Sequence, residues 1–262
     1  MKVFGINAHE SSFKQLATDA SGKQFSLNEI SINLPGSDKS LKITECIRAD
    51  GIHSYYYPEV IHKKRIVLHF SEGYLKYDIA QNTCTRNNIS VPFIIARDGT
   101  VYQLWDPQYW GYHIGGGSIG GNDEISSTSI AIELSNIGPL TLNGNDLLTI
   151  NNSIYCSLND TAFFKLLPVA YRGYEYYAKF TDVQYESLIL LLTYLTERFK
   201  IPRILLSEDK RYNMFVTDIA AQASTGILSH VNFRPAGEKV DIGPAFQWNK
   251  IIASLIPTKG GT

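Results

Sequence analysis

Cysteine is scarce in this 262-residue chain: Cys46, Cys84 and Cys156 lie far apart and show no CxxC spacing. That excludes a recognisable thiolate zinc knuckle and an even-numbered disulfide framework. Long apolar runs are also missing. The most apolar stretch, residues 188–195, is interrupted by Thr193 and falls well short of the roughly 20 residues that span a bilayer, so no membrane span is expected. At the start, Asn7, His9 and Glu10 intervene before an apolar segment of about 7 to 15 residues can form, and no Sec-type signal peptide is expected. Nor is there an excess of charge of either sign, since 24 basic and 25 acidic residues leave a formal net charge of -1. Without a basic field to hold a polyanion, nucleic acid is excluded as a partner.

What is present has the balance of an ordinary globular protein: 44% hydrophobic and 19% charged residues, with 20 Gly and 10 Pro. The length suits a domain of about 150 to 200 residues with a smaller appendage. Residues 1–62 carry turn signals at Ser21-Gly22, Pro35-Gly36 and Asp50-Gly51 but no chemical motif, and read as an N-terminal extension of short strands. The main domain is taken as residues 63–262. In it, residues 66–71 alternate, with Ile66, Leu68 and Phe70 on one face and His69 on the other. Residues 91–96 and 100–105 flank Asp98-Gly99 and read as a hairpin. Residues 129–135 alternate again, setting Glu133 and the small Ala131 opposite Ile130, Ile132 and Leu134. Thr181 and Gln184 have the form of a capping box, which predicts a helix running to Phe199 and stopped by Pro202. Two stretches near 139–180 and 207–226 show no dominant period and read as insertions, the first of them beside the cleft; a short helix is expected over 245–255.

Six histidines stand at positions 9, 53, 62, 69, 113 and 230. A zinc ion that activates water needs three protein ligands and an open position, and His69, His230 and Asp241 offer such a set. Their wide separation leaves the choice between metal ligands and structural histidines open, because no helical HExxH spacing ties them together.

The segment 229–246, Ser-His-Val-Asn-Phe-Arg-Pro-Ala-Gly-Glu-Lys-Val-Asp-Ile-Gly-Pro-Ala-Phe, resembles the last metal-binding loop of type 2 amidases. These are the zinc-dependent N-acetylmuramoyl-L-alanine amidases and peptidoglycan recognition proteins. Val67-Leu68-His69-Phe70-Ser71 resembles the family's strand with the first zinc ligand, residues 93–104 the hairpin after it, and Trp110 to Gly116 its Trp-His-x-Gly element. Residues 129–134 resemble the strand carrying the catalytic glutamate. The order matches over about residues 63–256. The resemblance implies an α/β fold, a central mixed sheet flanked by helices with a small N-terminal extension. It implies Zn2+ on His69, His230 and Asp241, catalytic roles for Glu133 and Lys239, and a substrate-binding role for His113. It also implies peptidoglycan or muropeptides as substrate, cut at the amide between N-acetylmuramic acid and L-alanine. Val91 and Pro92 depart from the family's Tyr and His there, favouring a mechanism that depends on glutamate rather than tyrosine. The rival readings are a peptidoglycan-binding module without turnover and a zinc peptidase acting on the stem peptide. Since no Sec-type signal is expected, delivery to wall material by lysis or a non-Sec route from the cytoplasm is the expectation.

Overall fold

The computed structural model describes residues 10–255; Asn7 and His9, which enter the signal-peptide expectation, lie outside them. The central sheet has seven strands in the order β1-β2-β5-β4-β6-β3-β12. Its middle is parallel: β3 (Arg65–Phe70) pairs with β6 (Ser129–Leu134) over six residues, from Arg65 opposite Ser129 to Phe70 opposite Leu134. β12 (Gly226–Ser229) lies parallel to β3 on its other side, and β4 (Phe93–Ile95) parallel to β6. Every residue of β3 and β6 is buried, as expected for parallel strands covered on both faces.

The hairpin at Asp98-Gly99 forms, with Gly99 at φ +86°, a value a side chain would resist. It pairs β4 antiparallel with β5 (Val101–Gln103). β1 (Phe25–Asn33) and β2 (Ser40–Arg48) form a second hairpin, which joins the same sheet through parallel pairing of β2 with β5.

Alternation along the strands decides which face meets which layer. Ile66, Leu68, Phe70, Ile130, Ile132 and Leu134 pack in one cluster with Leu188, Leu191, Leu192 and Leu195. These leucines belong to α3 (Asp182–Phe199), which starts at Thr181 with a full capping box. α6 (Trp248–Leu255) completes this layer through Trp248, Ile251 and Leu255. The other face is only partly covered. α1 (Leu75–Asn82) sets Leu75 and Ile79 against Ile94, Tyr102 and Ala131. α2 (Asn122–Ser127) sets Ile125 near Val67. Beside α1, His69 and Glu133 face a cavity that Asp78, Gln81 and Asn82 of this helix help to line.

The stretch read as lacking a period holds five short strands. β7 (Pro139–Asn143), β8 (Asp146–Leu148), β9 (Ile154–Ser157), β10 (Phe164–Tyr171) and β11 (Tyr174–Ala178) form a second sheet in the order β10-β11-β7-β8-β9. It has a core of its own that includes Ile137, Leu140, Leu147, Tyr155 and Phe164. Strands of three to five residues and a register shift inside β10 hold too few alternations to be read locally. The stretch 207–226 likewise contains two helices, α4 (Glu208–Arg211) and α5 (Asp218–Ala223), both too short to show a 3.6-residue repeat. No helix among the described residues is long and apolar enough to cross a membrane.

Candidate metal centre and active site

Strand register brings the key side chains together. Parallel pairing sets His69 directly opposite Glu133. Ser229 pairs with Leu68, so the next residue, His230, emerges beside His69 where β12 ends. This is the carboxyl end of a parallel sheet, where chains diverge and leave a crevice. His230 opens a short 3-10 turn fixed by Asn232, whose Oδ1 accepts from Ser229 N at 2.9 Å while its Nδ2 donates to the Arg211 and Asn213 carbonyls. The loop then returns: Val231 N donates to the Asp241 carbonyl at 2.8 Å, which carries Asp241 back to the two histidines.

Three donor atoms converge there. Nδ1 of His69 lies 3.0 Å from Nδ1 of His230 and 3.3 Å from Oδ2 of Asp241, and His230 Nδ1 lies 3.0 Å from the same oxygen. His230 Nε2 is 2.8 Å from the Ile114 carbonyl, an acceptor only, so that nitrogen carries a proton. In neutral His230 the Nδ1 lone pair therefore faces a carboxylate oxygen. Two acceptors at that separation in a buried place repel each other unless a proton or a cation lies between them. Ligands bound about 2.1 Å from a tetrahedral ion stand about 3.4 Å apart, close to the triangle observed. His69, His230 and Asp241 thus form a group that could hold a metal ion, and their donor atoms all lie within 4.8 Å of one another.

Electrostatics favours the ligating forms. Burial, with the neighbouring His230 adding, depresses the His69 pKa to about 4 against the opposing pull of Asp241. Burial works to raise the pKa of Asp241, but His230 and His69 outweigh it and hold the carboxyl well below its ordinary range. Neutral imidazole and ionised carboxylate are the states that bind a cation.

Glu133 and His113 flank this group. Burial, with Asp241 and Asp78 adding, raises the Glu133 pKa well above the usual carboxylate value, and its buried Oε2 has no hydrogen-bond partner. His113 Nδ1 sits 3.0 Å from His69 Nε2, and its backbone N donates to Ser126 Oγ at 3.2 Å. Its own Nε2 is buried and unpaired, and burial, then the nearby His69 and His230, holds its pKa well below the ordinary histidine value. Lys239, half-buried, reaches the same cavity of about 350 Å³. All six residues singled out in the sequence therefore line one cavity.

The sequence reading did not find what steadies the loop. Arg172, at the tip of the β10–β11 hairpin, donates through Nη1 to the carbonyls of Lys239 and Pro235. Lys165 Nζ donates to the Pro244 carbonyl at 3.1 Å. The Tyr171 ring packs so closely on Gly243 that a Cβ there would meet it at 3.0 Å. Bonds to main-chain carbonyls are indifferent to which residue supplies them, and so leave no pattern in the sequence. The position of the family's tyrosine is filled by Val91, fully buried, its backbone N donating to Asn82 Oδ1 at 3.1 Å.

Residues 60–244 match the family model for N-acetylmuramoyl-L-alanine amidase. No curated protein matches the sequence at a significant level. Among solved structures, the chain is similar to the N-acetylmuramyl-L-alanine amidase AmiD from E. coli, in a complex with anhydro-N-acetylmuramic acid-L-Ala-D-gamma-Glu-L-Lys. The identity is 17%, covering 86% of this chain and 65% of that one, with a TM-score of 0.47. It is similar to a selenomethionine derivative of AmpD at 21% identity, over 77% of this chain and 90% of that one, with a TM-score of 0.44. A third likeness is to the N-acetylmuramoyl-L-alanine amidase LysC from Clostridium intestinale URNW, at 16% identity over 81% of this chain and 96% of that one, with a TM-score of 0.44. The chain thus spans about two thirds of the length of AmiD, 65%. At TM-scores below 0.5 these likenesses carry no further weight, whereas the family match extends over more than half of the sequence.

Proposed function

Since the chain belongs to the N-acetylmuramoyl-L-alanine amidase family, we propose that it hydrolyses the amide joining N-acetylmuramic acid to the L-alanine of the stem peptide in peptidoglycan or muropeptides. One observation carries the assignment of the site: three donor atoms face one point, within 4.8 Å of one another, beside a buried carboxyl whose Oε2 has no partner. His69, His230 and Asp241 would hold Zn2+, which would supply an electrophile able to polarise the scissile carbonyl and lower the pKa of water towards about 7.

The remaining work falls to side chains of the chain itself. Glu133 accepts a proton from the attacking water at Oε2 and delivers it to the alanine nitrogen as the C–N bond breaks. The products are the lactyl carboxylate and a free L-alanine amine, with one water consumed. A carboxylate whose pKa is raised by burial takes a proton from water more readily than one of ordinary pKa, and still yields it to the departing amine nitrogen, which is more basic than any carboxylate. Lys239 sets a positive charge beside the oxygen that gains negative charge. His113 offers Nε2, buried and unpaired, to a polar atom of the substrate.

Metal content and muropeptide turnover, measured together on wild type, His230→Ala and Glu133→Ala, test this. The expected result is one zinc per chain and turnover in wild type, zinc lost in His230→Ala, and zinc kept without turnover in Glu133→Ala. A metal-free, inactive wild type that still sediments with peptidoglycan would instead identify a binding module.

A further inference from the structure

His230 has two neutral forms, and only one of them can bind a cation through Nδ1. With the proton on Nε2, that nitrogen donates to the Ile114 carbonyl at 2.8 Å and leaves the Nδ1 lone pair for an ion. With the proton on Nδ1, the ring donates instead to Asp241 Oδ2, 3.0 Å away. A single proton then occupies two of the three ligand atoms. The placement of the Ile114 carbonyl therefore selects the ligating form, as the outer partner of a metal-binding histidine does in general.

What places that carbonyl is α2. The Ile114 carbonyl and the Gly115 amide belong to one planar trans peptide unit, in which they point opposite ways. The Gly115 N–H donates to Asn122 Oδ1 at 2.9 Å, so Asn122 and His230 grip the two sides of the same peptide plane. Ser126, one helical turn along and fully buried, donates through Oγ to that Oδ1 at 3.0 Å and accepts from His113 N at 3.2 Å. Both lone pairs of Oδ1 are then used, and the backbone is pinned at His113 and Gly115 with the Ile114 carbonyl between them. At six residues α2 is too short to be rigid by itself. Its anchorage comes from Ile125, fully buried in a cluster with Ile114, Leu228 and Phe233. The buried Lys63 secures its end, donating through Nζ to the Ser127 carbonyl at 2.7 Å.

Resting on the metal-centre part of the amidase reading, we infer that Asn122, aimed by Ser126, is a positioning residue of that centre. Through the Ile114–Gly115 peptide unit it holds His230 in the form whose Nδ1 is free to ligate. Cutting Asn122 to Ala leaves His69, His230 and Asp241 in the chain but frees the peptide unit to turn. The form with the proton on Nδ1 then competes with the ion for the same atoms. Asp at this position keeps an oxygen acceptor for the Gly115 amide and keeps the selection.

The test measures zinc affinity by chelator competition for wild type, Asn122→Ala and Asn122→Asp. It also follows exchange of the His230 Nε2 proton with water by 15N-histidine NMR at saturating zinc. Asn122→Ala is expected to bind zinc about 10- to 100-fold more weakly, the range for lost outer partners of metal ligands. Its Nε2 proton should exchange about five-fold faster or more, as the loss of one hydrogen bond implies, while the amides of β3 and β6 keep their wild-type rates. Asn122→Asp is expected to stay close to wild type in both. Should thermal melts show that Asn122→Ala does not fold, Ser126→Ala is read in its place, with the same direction expected. Wild type that takes up no zinc overturns the metal reading and this inference together. Wild type that binds zinc overturns the inference alone if Asn122→Ala matches it in affinity and exchange, or if Asn122→Asp binds as weakly as Asn122→Ala.

Discussion

Replacing Glu133 by Gln keeps the volume of the side chain and removes only its ability to carry a proton between the attacking water and the leaving nitrogen. General acid–base transfer contributes about 10²- to 10⁴-fold, so kcat/KM is expected to fall by that factor, equivalent to about 2.7 to 5.4 kcal/mol of transition-state stabilisation. The ligands His69, His230 and Asp241 are untouched, and zinc content should stay at wild-type level. Stability should move the other way. The folded pKa of Glu133 lies above its ordinary value because burial opposes the charge. Between the unfolded and folded pKa values the native state binds more protons than the unfolded chain, and stability falls as pH rises through that window. Gln removes this dependence, so metal-free Glu133→Gln should melt higher than metal-free wild type at pH 8 and show a smaller difference at pH 4. Steady-state hydrolysis of a muropeptide, elemental analysis and thermal melts at the two pH values read all three effects. Activity within about three-fold of wild type, where the general acid–base range starts near 10², would refute the role given to Glu133, as would loss of zinc along with activity.

Arg172→Ala removes a charged donor from the Lys239 and Pro235 carbonyls, bonds worth about 1.5 to 3 kcal/mol each. Zinc should then be lost faster to a chelator and kcat should fall, with Arg172→Lys recovering part of both; unchanged chelation kinetics would show that the hairpin does not steady the loop. In the metal-free protein, the lowered folded pKa values of His69 and Asp241 contribute stability that is present near neutral pH. That of His69 is lost as pH falls from about 6.5 to about 4, and that of Asp241 at lower pH still. The melting temperature of metal-free wild type should therefore fall relative to that of metal-free His69→Asn as pH drops from 7 to 4, and an unchanged difference between the two would contradict this. Leu191, fully buried between α3 and the sheet, should cost about 2 to 5 kcal/mol when cut to Ala; urea unfolding with a loss under about 1 kcal/mol would mean that the α3 layer packs less tightly than described.

The parts of the fold readable in the sequence are those governed by local rules. The alternation at 66–71 and 129–135 put His69 and Glu133 on one face, and the parallel register then set them side by side. The Thr181–Gln184 pair marked the start of α3 by the same two hydrogen bonds that cap it. The sequence did not reveal the partners of β2, because its two pairings with β5 join residues far apart in the chain and ask for no special residue at either. The second sheet escaped for a related reason, since four of its strands run only three to five residues between turns and the eight-residue β10 carries a register shift, which leaves alternation too little length. At the site, residue types with strong chemical preferences could be proposed from sequence, whereas Arg172 and Lys165 act on carbonyls whose location only the folded chain defines.

The most direct test of the central claim is the identity of the products when the zinc-loaded protein digests a purified muramoyl tripeptide, read by mass spectrometry. Hydrolysis at the lactyl amide predicts two species, an intact N-acetylmuramic acid and a complete tripeptide with a free L-alanine amine. Peptide fragments still attached to muramic acid would mean that the bond cut lies within the stem peptide, and no cleavage at all by a folded, zinc-loaded chain would contradict the proposed activity.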